Sequence, residues 1–313
     1  MDFSGKKHKV IISIKKTLRE KYNWWLSKHN PKKLSAYYYL LAMGKKMDWN
    51  NPLDINAKIQ WLKFYGDKQL WAKCADKYKV REYVTERGYE NILVKLYGKW
   101  DSVDEINWDL LPEKFIIKVN NGCGENIVCN SKKDSNIDEI SHLLKQFLEQ
   151  KNADLFVEPH YKLIEPCIIA EELLDSKCQQ FESESMIDYK VWCFDGDPLY
   201  ICVYHDRYPQ SIQFSIYDTN WICHPEKAAY PPTFHKSKIE IPKPKCLKQM
   251  LNAASVLSKG HPEVRVDFYI VNDTLFFGEM TFTSYGGYMN YFTIDMLNEM
   301  CSHTVLPKSE SKC

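Results

Sequence analysis

The chain has 313 residues, 44% of them apolar, 27% charged and 14% aromatic, with a net charge of +1. That content excludes a disordered polymer and leaves ample material for a large buried core. Balanced charge excludes a dedicated nucleic-acid binder. An odd count of eleven Cys with no C-x-x-C pair excludes a disulfide scaffold, so the thiols are expected reduced and the protein cytoplasmic, with no secretory leader. No run of about 18 apolar residues is present to span a membrane.

The charge is unevenly spread. Residues 1–33 hold ten Lys or Arg against Asp2 and Glu20, a local +8, which leaves the remainder acidic. Ile11, Ile14, Leu18, Tyr22 and Trp25 recur at steps of three and four, one helical stripe. Two readings stay open: a surface helix packed on its own domain, or a basic amphipathic helix over residues 6–33 in peripheral contact with an anionic membrane.

Residues 34–92 read as helical. Leu34 to Met43 is apolar and Tyr-rich. Asp54 to Phe64 reads as a helix capped by Asp54 or Asn56, with Ile59, Leu62 and Phe64 inward. Helices continue from Leu70 to Arg87 and end near Gly88. Phe115–Val119 and Asn126–Cys129 are short β-rich runs around a Gly-containing loop. Ile137–Gln150 is helical, and Cys167–Ala170 is a buried strand. Met186–Phe194 and Leu199–Tyr204 flank Asp195-Gly196-Asp197, a hairpin signal. A Pro-rich connection runs from Pro225 to Pro244. A helix follows over Leu247–Lys259, and two strands, Val264–Val271 and Leu275–Phe282, meet at Asn272-Asp273-Thr274.

The last hairpin carries the strongest chemical signal. Arg265 and Asp267 share one face of their strand, as do Glu279 and Thr281 on the next. A three-residue loop, or a bulge with the same effect, sets Asp267 opposite Glu279 and Arg265 opposite Thr281. Paired carboxylates repel unless a cation lies between them, and Mg²⁺ accepts one or two carboxylates plus phosphate oxygens. Lys118 lies in an apolar strand ahead of Gly122 and Gly124, and a buried ammonium is costly without an anion. Lys190, in Asp188-Tyr189-Lys190, and Arg207 are further basic residues near strands. His142, His160, His205, His224 and His303 show no zinc-ligand spacing with Cys.

In order and spacing these pieces resemble the ATP-grasp superfamily, and more closely its TupA-like branch, linked to polysaccharide synthesis. The resemblance covers about Asn51 to Pro307. It rests on the stretches from Ile59 to Tyr65, Ala75 to Val84, Phe115 to Lys118, Ile169 to Glu171, Asp188 to Lys190, Val264 to Asp267 and Phe277 to Thr283. It implies an α+β fold: a helical region over 1–95, a small lobe with the Gly loop over 96–170, a large lobe with the metal site over 171–307, and a loose tail over 308–313. Both lobes are expected to hold antiparallel sheets.

The resemblance also implies ATP and Mg²⁺ as cofactors. Lys118 and Lys190 would meet phosphates, with Gly122 and Gly124 closing over them. Glu171, Glu172 and Leu173 would form the hinge beside adenine. Asp267, Glu279 and Thr281 would face Mg²⁺, and Arg265 and Lys190 would be catalytic. Thr281 stands where most ATP-grasp enzymes carry Asn. The implied reaction joins a carboxylate, expected on a uronic acid of a surface polysaccharide or its precursor, to an amine. The expected location is cytoplasmic or peripheral at the inner membrane face. The rivals are a glycosyltransferase, from the D-x-D form of Asp195-Gly196-Asp197, and a sugar kinase using the same ATP site.

Overall fold

The computed structural model describes residues 19–122, 124–150 and 152–308. Ile11, Ile14 and Leu18, and the tail beyond Lys308, lie outside the described residues. The front is helical: α1 over residues 19–29, α2 over Pro31–Met43, α3 over Ile55–Tyr65, α4 over Lys68–Ala75 and α5 over Val80–Glu86. Asn30 caps α2 by accepting from the Lys33 N–H. Asp54 caps α3, its carboxylate accepting from the Ala57 N–H at 2.8 Å.

Helix α3 is buried on nearly every side, which alters its expected inward set. Ile59 and Leu62 are inside, but Phe64 is half-buried and Lys63 takes a buried place. A helix enclosed all round must bury polar side chains too, and each then needs a partner.

The small sheet contains β1 (Leu96–Trp100), β2 (Phe115–Val119), β3 (Asn126–Cys129) and β4 (Ile168–Glu171), in the order β1-β4-β2-β3 and antiparallel throughout. Helix α6 (Ile137–Glu149) lays Ile140 and Leu144 against Phe115, Ile117, Ile168 and Ala170. A short helix, α7 (Asn152–Leu155), follows it.

The large sheet contains β5 (Asp188–Phe194), β6 (Asp197–Tyr208), β7 (Ser211–Asp218), β8 (Phe234–Lys236), β9 (Val264–Val271) and β10 (Thr274–Thr281). Their order is β10-β9-β5-β6-β7-β8, antiparallel except for the parallel β7–β8 pair. Every residue of β5 is buried, because both faces are covered. On one face Met250, Ala254 and Leu257 of α8 (Leu247–Ser258) join Val191, Val203 and Val266. On the other, Ile59 of α3 and Met296 and Met300 of α9 (Ile294–His303) join Trp192, Cys202 and Phe214.

Three strands go beyond the sequence reading. β1 is a half-buried edge strand interrupted by Gly98, and β8 is a three-residue edge inside the Pro-rich connection. Neither has an alternation long enough to register. β7 (SIQFSIYD) does alternate, from Ser211 to Ile216.

Candidate active site

The last hairpin turns on two residues, not three. Val271 pairs with Thr274, and Asn272 and Asp273 both take positive φ (51° and 58°), as a type I′ turn requires. Regular pairing from there would set Gly278 against Asp267 and send Glu279 to the opposite face. A bulge at Gly278 intervenes: Phe277 pairs with Phe268, and the next pair is Glu279 with Asp267, then Thr281 with Arg265. The expected juxtaposition is therefore present, produced by the bulge and not by the loop. A Cβ on Gly278 would lie 3.0 Å from the Asp267 carbonyl oxygen and 3.1 Å from the Tyr269 ring, so glycine suits the close approach.

Arg265 supplies the cation between the two carboxylates. Its Nε and Nη2 each donate to Asp267 at 2.7 Å, and Nη2 reaches Glu279 Oε1 at 3.4 Å. Its Nη1 donates to Ser284 Oγ at 2.8 Å, and Nη2 also donates to Thr281 Oγ1 at 3.0 Å. Burial would lower the Arg265 pKa, but Asp267 and Glu279 outweigh it and hold the guanidinium firmly charged. The Thr281 hydroxyl donates to Glu279 Oε1 at 3.1 Å, so it lies between its two charged neighbours.

From this pair a string of alternating charge crosses four strands. Lys190, opposite Asp267 in register, contacts Asp267 and lies 3.3 Å from Asp188, which in turn contacts Arg207. At the other end Lys77 Nζ lies 3.8 Å from Glu279 and donates to the Gly122 carbonyl of the Gly loop. Burial would raise the Glu279 carboxyl; Lys77, Arg265 and Lys190 outweigh it and pull it down to about 2. Asp267 is 1% exposed, whereas the Glu279 side chain is 38% exposed to the cleft.

Across the cleft Lys118 projects from β2, opposite Asn126 in register. Its ammonium has found its anion: Glu171, at the end of β4, lies 2.7 Å away. The other Glu171 oxygen accepts from Arg81 Nη1 at 3.0 Å, while Arg81 Nη2 donates to the Val94 carbonyl at 2.8 Å. Lys77, Arg81, Lys118, Glu171, Tyr269 and Glu279 line one cleft between the sheets, and Val80, Leu93, Val94 and Phe277 give it an apolar side.

Lys118, Glu171 and Glu279 thus line one cleft, and the charge string leads on from it through Glu279. Gly122 reaches it through Lys77, and Gly124 takes φ +95° in the same loop. Glu172 is exposed, its N–H bonded to the Lys95 carbonyl at 2.9 Å, and Leu173 is half-buried; both follow the end of β4. Lys77 and Arg81 were not singled out from sequence as site residues. Their signal was two cations four residues apart, one helical turn, inside a segment noted for other reasons.

Asp195-Gly196-Asp197 makes the β5–β6 hairpin turn. Asp195 and Gly196 take φ 46° and 95°, and the Asp195 carboxylate accepts from the Gly260 N–H at 2.8 Å. Among the described residues no group of three or more His, Cys, Asp or Glu is arranged to hold a metal ion. A cation here would bind one or two carboxylates and complete its shell from a ligand, as Mg²⁺ does with phosphates. Glu279, exposed and held ionised, fits that need. The Asp267 Oδ1 oxygen accepts from Arg265 Nε and keeps a second lone pair.

Compared with solved structures, the chain is 14% identical to the ATP complex of D-alanine–D-alanine ligase from Bacillus anthracis, with a TM-score of 0.42, covering 74% of this chain and 63% of that one. Against D-alanine–D-alanine ligase from Helicobacter pylori the values are 14%, 0.43, 82% and 68%. Against the L-amino acid ligase from Bacillus licheniformis they are 11%, 0.46, 82% and 57%. The chain therefore spans less than two-thirds of the first and last of these. No curated protein matches it. The profile of the TupA-like ATP-grasp family matches residues 57–305, from within α3 to beyond α9 and across both sheets and the cleft between them, and the chain belongs to that family.

Proposed function

We propose that this chain, an ATP-grasp ligase by family, joins a carboxylate to an amine in the cleft between the two sheets: the carboxylate takes the γ-phosphoryl group of ATP and releases ADP, and the amine then displaces inorganic phosphate from the acyl-phosphate. The observation that carries the reading is the charge of that cleft. Its lining holds three cations (Lys77, Arg81 and Lys118) against two carboxylates, Glu171 and Glu279, and an ion-paired string of further charges runs on from Glu279 through Arg265. The surplus suits a polyanion, and the apolar side formed by Val80, Leu93, Val94 and Phe277 suits a flat base.

In this reading Lys118, with Glu171 as its partner, and Lys77 contact phosphates. The loop at Gly122 and Gly124 covers them with backbone N–H groups. Glu171, Glu172 and Leu173 lie beside the base. Glu279 and Asp267 would hold Mg²⁺, and the metal would offset phosphoryl charge. The Thr281 hydroxyl orients Glu279 and would face the metal from there. Arg265 and Lys190 keep Asp267 and Glu279 in place, and Arg265 stabilises the oxyanion as the amine adds to the acyl carbon. The residues supply position and field, not a covalent nucleophile.

For the acceptor side, the TupA-like resemblance supports a uronic acid of a cell-surface polysaccharide or its precursor. The amine would be an amino acid or amino alcohol, and the location cytoplasmic. The test is ADP release by the purified chain with Mg²⁺-ATP and panels of sugar acids and amines, with products weighed by mass spectrometry. An amide formed with one ADP per turnover supports the proposal. A phosphorylated sugar without an amide would replace it with a kinase, and turnover of a nucleotide sugar without ATP would replace it with a glycosyltransferase.

A further inference from the structure

Helix α1 has one face inside and one outside. Leu26 and Ser27 are buried, Leu26 beside Leu34 and Val157. The opposite side leaves Tyr22, Trp24 and Trp25 at 51%, 58% and 47% exposure. Tyr22, Trp25 and His29 stack in a row one turn apart, with ring centroids 6.2 Å and 4.6 Å from pair to pair. Scattered exposed apolar residues need no explanation, but three large exposed aromatics within four residues of one helix do.

The charge around this row selects its partner. Lys21 lies one turn from Trp24 and Trp25, Lys33 is exposed at the start of α2, and residues 1–33 together carry +8. A second copy docking through the same face about a twofold axis would bring two such +8 segments together. An anionic bilayer surface attracts them, and Trp and Tyr rings settle at the headgroup level. No helix among the described residues is long and apolar enough to cross a membrane, so the contact would lie on the surface.

We propose that α1 docks the protein on an anionic lipid surface, with Tyr22, Trp24 and Trp25 inserted among headgroups and Lys21 and Lys33 on the lipid phosphates. This inference stands apart from the reaction, since Lys21, Tyr22, Trp24, Trp25 and Lys33 do not line the cleft between the sheets.

The test is co-sedimentation of the full chain with vesicles of equal parts phosphatidylglycerol and phosphatidylcholine, and with phosphatidylcholine alone. The wild type should pellet with the first and stay in solution with the second. Raising salt from 0.1 M to 1 M shortens the screening length from about 10 Å to about 3 Å and should release it. The variant Trp24→Ala/Trp25→Ala should lower partitioning about tenfold, and Lys21→Glu/Lys33→Glu about tenfold or more. Both sets change exposed side chains, so circular dichroism and Tm should match the wild type. Absence of pelleting, or pelleting unchanged in both variants, overturns the proposal. So does a dimer in sedimentation velocity that the Trp variant abolishes, since the occupant would then be a second copy. Preferential shift of a DNA or RNA oligonucleotide over vesicles would equally replace it.

Discussion

Glu279 is held at about 2 by Lys77, Arg265 and Lys190, so it stays ionised across the neutral range. Its folded value lies below the ordinary 4.5. The stabilisation from its ion pairs is therefore complete above about 4.5 and is lost only as pH falls toward 2. The acid limb of a pH–rate profile should accordingly be unchanged in shape by Thr281→Val, which removes the hydroxyl that orients Glu279. That variant should lose about tenfold in kcat, the scale of one hydrogen bond to a charged group. Glu279→Gln removes the charge itself and should lower ADP formation by about 10²- to 10³-fold. A Glu279→Gln enzyme turning over at the wild-type rate would remove this carboxylate from the proposed chemistry. Lys118→Met should act differently: it weakens nucleotide binding and leaves Glu171 with Arg81 alone, which a titration with ADP would detect.

The hairpin β9–β10 shows what was legible in sequence and what was not. Alternation placed Arg265 with Asp267 and Glu279 with Thr281, because strand period is a property of the backbone. Which carboxylate faced which depended on a bulge, and a bulge is a local exchange of hydrogen bonds that no side-chain pattern announces; Gly278 was its only trace. Gly278→Val should press on the Asp267 carbonyl and the Tyr269 ring, cost about 1–3 kcal/mol in urea unfolding and depress ADP formation with it. Helix α3 is the converse case. Its cap and its Ile59 and Leu62 were readable, but the work of its polar residues depends on a partner more than 200 residues away. Asn56 exchanges two hydrogen bonds with the Met289 backbone, at 2.9 Å and 3.0 Å, and Gln60 donates to the Gly287 carbonyl at 2.7 Å. These clamp the loop that follows β10, from which Ser284 accepts a hydrogen bond from Arg265. Asn56→Ala should cost about 2 kcal/mol of stability and raise KM for the acceptor more than for ATP. Equal changes in both constants would place the clamp's influence elsewhere. The edge strands β1 and β8 were illegible for a plainer reason: three to five half-exposed residues carry no period.

At the scale of the molecule, burial in α3 drives the Lys63 ammonium down to about 7, against the attraction of Glu158. The unfolded chain keeps that proton up to about 10.5, so it binds more protons than the folded chain between the two values, and stability rises with pH across that window. The slope from one group is at most about 1.4 kcal/mol per pH unit. Thermal unfolding from pH 6.5 to pH 10 should therefore show a rising component that Lys63→Met lacks; matching curves would show that Lys63 titrates as an ordinary surface amine. The two sheets also have a common gauge. Lys77 and Arg81 lie four residues apart on one stretch of backbone. The first reaches Glu279 of the large sheet and the Gly loop of the small one, and the second reaches Glu171 at the small sheet's edge. That stretch works as a caliper. Widening the cleft would stretch the Lys77 bridge to Glu279, which is already long at 3.8 Å, before the 3.0 Å bridge of Arg81 to Glu171. The amides of β2 and β10 should then exchange faster with solvent as salt is raised, and an occupied cleft should slow both.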